Sequence, residues 1–301
     1  LLPPKSYFID LTRGAQLHLR HFPAAGSPVL LVHGAIENGR IFYSQTGKGL
    51  APFLQGLGLD CYVLDLRGRG SSRPAVSRGA EYGQFEAITE ELPAASEFIA
   101  DRRPGCEQIW VSHSWGGVLQ ASTLLRFPEL RDRVAGLIFL GVKRSITVRS
   151  WARFWRVEFG WKRLFPWIAA LWGYLPAKRL GVGADSETRS SLAASIAWVG
   201  SGPWVDPRDG FDYGEAARDS GLPSSLWVTG SADLLLGAAQ DVQRFMAECC
   251  LSEDSFIQMG KAQGFLHDYD HIDLITHRDA DKDLFLCIHR WLDELTGLHY
   301  E

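Results

Sequence analysis

Short apolar runs recur along the chain, separated for the most part by stretches whose apolar residues repeat at helical spacing. SYFIDL (6–11), QLHLRHF (16–22), PVLLVHG (28–34), DCYVLDL (60–66), QIWVSH (108–113), AGLIFLG (135–141), SSLWVTG (224–230) and SFIQMG (255–260) read as strands. They are short, rich in β-branched and aromatic side chains, and mostly bounded by Gly, Pro, Asp or Ser. Helix-like segments fill most of the gaps, among them 84–102, 115–127, 238–250 and 280–296. Two opening strands followed by alternating strand and helix predict an α/β fold. Its mostly parallel central sheet carries helices on both faces. Ligands in such a sheet sit beyond the carboxyl ends of the strands.

Residues 144–222 break the alternation. They fall between AGLIFLG and SSLWVTG and predict a helical insertion in a core made of 1–143 and 223–301. Within it Leu164, Trp167, Ile168, Leu171 and Trp172 recur at i, i+3, i+4, i+7 and i+8, an apolar helix face.

Composition narrows the class. At 301 residues the chain can build one large core, or a core with an inserted subdomain. It is 46% hydrophobic and 22% charged with a net charge of −4, which gives no reason to expect nucleic acid as a partner. The longest uncharged run, Gln108 to Leu125, contains Ser, His, Gly and Gln and reads as strand plus helix, not a membrane span. The five cysteines, Cys61, Cys106, Cys249, Cys250 and Cys287, lack metal-ligand spacing and read as reduced thiols, the usage of a cytoplasmic protein. The chain starts at Leu1 and not at Met, which leaves room for a removed leader.

The candidate chemistry lies at strand ends. VSHSWGG (111–117) joins a strand to a helix through small residues, the arrangement written G-x-S-x-G, with Ser112 where the first glycine stands. Ser114 is the candidate nucleophile. A serine hydroxyl needs a base, usually a histidine oriented by a carboxylate. Asp233 follows a strand in LWVTGSADLLLG, whereas AGLIFLGVKRS ends without an acid. His267, His271 and His277 all follow the last strand, and His271, in DHID, stands foremost, with His267 next. Developing negative charge on a substrate oxygen needs preorganised N–H donors. Trp115 N–H, at the start of a helix, and Ala35 N–H, past the turn His33-Gly34, are the candidates. DLRGRGSS (65–72) reads as a tight loop near the site; it lacks the G-K-[ST] ending of a phosphate loop.

The chain resembles the α/β-hydrolase superfamily, specifically its esterase- and lipase-like members with a helical lid. The resemblance rests on HGA at 33–35, D-x-R-G-x-G-x-S from Asp65 to Ser72, SHSWGG at 112–117, G-x-x-D from Gly230 to Asp233 and H-x-D from His271 to Asp273. It departs at Ser112, and at Asp270 where a glycine usually precedes the histidine. It implies Ser114, Asp233 and His271 as a catalytic triad and Ala35 and Trp115 as oxyanion donors, with no metal or organic cofactor. The implied reaction is hydrolysis of a carboxylic ester of a largely apolar small molecule or lipid. Thioesters, lactones and amides are open to the same machinery, and a non-catalytic ligand binder is the remaining alternative.

Seven of the eleven tryptophans lie in 144–222: Trp151, Trp155, Trp161, Trp167, Trp172, Trp198 and Trp204. From Lys143 to Arg179 there are nine Lys/Arg and one acid, Glu158. Three readings follow: a small core with a solvated basic face, an aromatic-walled cleft over Ser114 whose basic rim attracts an anionic substrate, or such a rim that docks on an anionic membrane surface.

Overall fold

The computed structural model describes residues 1–252 and 255–297. Ten strands are present among them: β1 Lys5–Asp10, β2 Gln16–Phe22, β3 Pro28–Val32, β4 Asp60–Asp65, β5 Gln108–His113, β6 Val134–Leu140, β7 Tyr174–Leu175, β8 Glu187–Thr188, β9 Ser225–Gly230 and β10 Phe256–Met259. Eight form one sheet in the order β1-β2-β4-β3-β5-β6-β9-β10, and β7 pairs with β8 in a separate two-stranded ribbon. β2 runs antiparallel to β1 and β4; the other pairings of the large sheet are parallel. All eight strands expected from the apolar runs are present, and the expected α/β architecture is borne out.

The unbroken apolar runs have a physical cause. Helices cover both faces of a parallel sheet, so successive residues are buried alternately on opposite sides. Leu30, Val32 and Trp110 pack in one core cluster with Val118, Leu137 and Trp227. Val29, Leu31, Ile109 and Val111 pack in the other, with Ile138 and Val228. Each such side chain contributes about 1.5–3 kcal/mol on burial, so the central strands are locked in register from both sides.

The segment between β6 and β9 is mostly helical, with the β7–β8 ribbon inside it. Trp151–Arg153, Phe154–Leu164 and Phe165–Trp172 follow one another without a break, the middle part wound wider with i→i+5 hydrogen bonds, and end at Gly173 in the left-handed region (φ 86°). The later part of the segment is not a body of its own. Trp198, Trp204 and Tyr213 join the main core cluster beside Trp115 and Phe245, so their rings tie the insertion to the sheet's helices. No helix among the described residues is long and apolar enough to cross a membrane.

Candidate active site

Ser114 is the single residue between β5 and the helix Trp115–Arg126. Its backbone sits at φ 51°, ψ −125°, a region that costs a non-glycine residue about 1–3 kcal/mol. Packing enforces it. Ser114 N–H donates to Leu140 O at 2.9 Å and Gly117 N–H donates to Ser114 O at 3.1 Å. A Cβ on Gly116 would lie 2.5 Å from His33 O, so strand and helix meet too closely for any side chain there. Ser112 lies inside β5, fully buried.

The structure brings Ser114, Asp233 and His271 together. Ser114 Oγ–H donates to His271 Nε2 at 2.9 Å. His271 Nδ1–H donates to Asp233 Oδ2 at 2.6 Å, which fixes the tautomer that leaves Nε2 free to accept. Asp233 Oδ1 in turn accepts Leu236 N–H at 2.8 Å. His267 lies elsewhere, bonded to Asp279 at 3.0 Å and packed on His277. Those three residues gather ligand-capable atoms within 4.8 Å of one another, but Asp279 is already held by Lys282 at 2.7 Å. Asp270 accepts the N–H groups of Ile272 and Asp273 at 2.9 and 2.8 Å. It caps the turn that carries His271, which a glycine could not do.

Ala35 and Trp115 flank the serine from two elements. A Cβ on Gly34 would lie 2.9 Å from Ser114 Cβ, so the 33–35 turn passes directly against the Ser114 side chain. Among the described residues neither the Ala35 nor the Trp115 N–H donates to a protein acceptor. Asp65 shapes the neighbouring 65–72 loop: its carboxylate accepts Gly39 N–H at 2.8 Å and Ser71 N–H at 3.0 Å.

Glu37, His113 and Lys143 complete the site, and the sequence reading had not singled them out. His113 Nδ1 lies 2.9 Å from Glu37 Oε2 and its Nε2 lies 3.0 Å from His271 O. Both neighbours are acceptors, so the imidazole serves them best as a doubly protonated cation. Glu37 also accepts Gly34 N–H at 2.7 Å, which links the 33–35 turn to the loop that carries His271. The only sequence signal was a carboxylate three residues after Gly34 and a histidine beside Ser114.

Electrostatics follow from this packing. Burial lowers the His271 pKa; the Asp233 hydrogen bond pulls the other way and the charge on His113 adds to the lowering, for a net fall below 6.5. Burial alone would raise Asp233, but its bond with His271 and the charge of Lys143 hold it below the usual range. Burial lowers His113, yet the Glu37 carboxylate outweighs it and the pKa rises. Glu37 resists burial through the same pair and falls to about 2. Burial lowers Lys143, against the pull of Asp233 and Glu37.

The sheet order, the two antiparallel opening strands and the serine turn define an α/β-hydrolase fold. The family model for the α/β hydrolase fold matches residues 27–164. Solved structures agree at the level of fold. A thermophilic esterase from Thermogutta terrifontis superposes with a TM-score of 0.59 at 16% identity, covering 98% of this chain and 99% of the other. An N-acyl homoserine lactonase mutant, complexed with N-hexanoyl homoserine, gives 0.61 at 17%, covering 99% and 100%. The thioesterase domain from the curacin biosynthetic pathway gives 0.55 at 16%, covering 95% and 100%. No curated protein matches the chain.

Proposed function

We propose that the protein is a serine hydrolase of carboxylic esters, on a substrate with a largely apolar body. The observation that carries this is the hydrogen-bonded chain Ser114–His271–Asp233, buried beside two N–H groups without a protein acceptor. His271 Nε2 takes the Ser114 proton as Oγ attacks the carbonyl carbon. The oxyanion that forms accepts from the N–H groups of Ala35 and Trp115, each worth about 3 kcal/mol to the transition state. His271 then returns the proton to the leaving alcohol, and an attacking water repeats the cycle to release the acid. Thioesters, lactones and amides are the nearest other substrates of the same groups.

The test is labelling by a fluorophosphonate with a panel of p-nitrophenyl esters. Wild-type protein and Ser112→Ala should both label and turn over. Ser114→Ala should not label, and its kcat should fall by about 10⁴-fold or more. An unlabelled wild-type protein that binds esters without cleaving them would instead be a ligand binder.

The helical stretch 151–172 acts as a lid in this reading. Its inner face reaches both sides of the site: Val157 packs with Leu235, two residues beyond Asp233, and Phe165 and Ile168 pack against the same small cluster as Ile36, next to Ala35. Its outer face carries Trp151, Trp155, Trp167 and Trp172, which are 79, 57, 62 and 40% exposed. Arg149, Arg156, Arg163, Lys178 and Arg179 are exposed around them. Interfacial aromatics with a basic rim suit an anionic lipid surface.

A further inference from the structure

A cavity opens beside the oxyanion turn, walled by Gly34, Ala35, Leu66, Ala87, Trp115 and Leu119. Polar side chains also line it. Most are matched within the protein. Arg67 donates to Glu90 at 2.9 Å and lies 3.4 Å from Glu91; Arg69 pairs with Glu187; Thr188 Oγ1 donates to Tyr82 O at 2.7 Å.

Gln84 and Trp115 differ. Gln84 is 3% exposed and Trp115 7% exposed. The Gln84 amide oxygen, the Gln84 amide nitrogen and the Trp115 indole nitrogen have no hydrogen-bond partner among the described residues. Three of the eight such buried side-chain atoms thus lie on two residues lining this one cavity. A buried amide left unpaired destabilises a fold, and binding pockets are where such groups are kept, few and aimed at a ligand between apolar walls.

We propose that this cavity is a substrate subsite for a secondary amide carried on one arm of the ester, with Gln84 as its specificity residue. This rests on the serine-hydrolase reading. The donor and acceptor count selects the ligand. Gln84 Oε1 accepts one N–H, while Gln84 Nε2 and Trp115 Nε1 donate to one carbonyl oxygen with two lone pairs. A secondary amide satisfies all three. An alkyl chain satisfies none, and a carboxylate leaves Gln84 Oε1 facing a like partner while both arginines are already paired.

Two matched ester pairs test it, one for each arm: p-nitrophenyl N-acetylglycinate against p-nitrophenyl pentanoate, and 2-acetamidoethyl benzoate against pentyl benzoate. Each kcat/KM is divided by the ester's own hydroxide-catalysed rate. Wild-type protein should favour the amide in at least one pair by roughly tenfold or more, because a site with unmatched polar groups rejects the analogue that cannot fill them. Gln84→Leu should erase that preference and keep or raise the melting temperature. Gln84→Met serves if the leucine variant does not fold. Equal ratios in wild type and variant, or an alkyl preference in both pairs, would overturn the subsite. Fluorophosphonate labelling separates the two readings: a labelled Ser114 with unchanged ratios removes the subsite alone. No label and no turnover of any ester removes both.

Discussion

Ser114 takes a backbone conformation that a serine adopts only under constraint, and its neighbours supply that constraint. The hydroxyl points at His271 because the chain cannot relax around it. Glu37 and His113 act one step further out, on the backbone oxygen of His271. Their charge state reaches the His271 imidazole, since His113 is among the groups that lower its pKa. kcat/KM should therefore rise with pH through a midpoint below the 6.5 of an ordinary imidazole, because His271 must be neutral to accept the serine proton. Glu37→Gln removes the carboxylate that keeps His113 charged, so the midpoint should move up. A pH profile of both proteins checks this; an unmoved limb in Glu37→Gln would show that His113 does not communicate with His271. Ser114, Asp233 and His271 could be picked out from strand ends in the sequence, whereas Glu37 and His113 could not. Those two are separated by 76 positions, and no local pattern marks a pair that only the sheet brings together.

At the scale of elements, the stretch 151–172 departs most from its periodicity. The spacing of Leu164, Trp167, Ile168, Leu171 and Trp172 marks one apolar face. In the structure Leu164 and Ile168 are partly covered, while Trp167, Leu171 and Trp172 are exposed. The stretch is apolar on both sides, so hydrophobicity alone does not say which side meets the protein. The helix winds wider over Phe154–Leu164, and Trp151, Phe154, Trp155 and Phe159 form a ladder of edge-on rings. The tryptophans thus divide. Trp198 and Trp204 are core, and Trp151, Trp155, Trp167 and Trp172 face outward. Anionic phosphatidylglycerol vesicles should retain the protein in a sedimentation assay and neutral phosphatidylcholine vesicles should not. Raising salt toward 1 M, where the Debye length shrinks to about 3 Å, should release it. Arg156→Glu and Arg163→Glu should each weaken binding by at least roughly fivefold, since one basic residue near such a surface is worth about 1 kcal/mol. Equal retention on both vesicle types would leave the basic rim without a role in docking.

For the whole molecule, two buried carboxyl groups set opposite pH limits. Glu37 is lowered from 4.5 to about 2. Its contribution is present above its unfolded value and is lost as pH falls toward the folded one. Glu91 goes the other way. Burial, opposed by the Arg67 backbone bond and charge, raises it from 4.5 to about 7. The folded chain holds that proton more tightly, so the stabilisation present at acid pH is lost as pH rises through about 7. Glu91→Gln keeps an acceptor for the Arg67 N–H, now 2.8 Å from Glu91 Oε2, and removes the titration. The variant should gain up to ~3 kcal/mol over wild type at pH 8 and little near pH 4.5. Urea unfolding at the two pH values measures it, and an equal difference at both would mean that Glu91 does not titrate in this range.

The sequence by itself determined the class of fold. Eight apolar runs and the helical spacing between them required a parallel sheet covered on both faces, because only that arrangement buries unbroken apolar strands. It also marked the strand ends where Ser114, Asp233 and His271 stand, since tight turns there demand small or capping residues. Tertiary structure alone decided the strand order, which no run encodes, and so the meeting of residues from five separate connections. It decided that His271 and not His267 faces the serine, a matter of loop path after β10. It decided as well that the outer tryptophans are uncovered and that Gln84 finds no partner among the described residues. Burial and pairing are properties of what packs against a residue, and the chain names those partners only once it has folded.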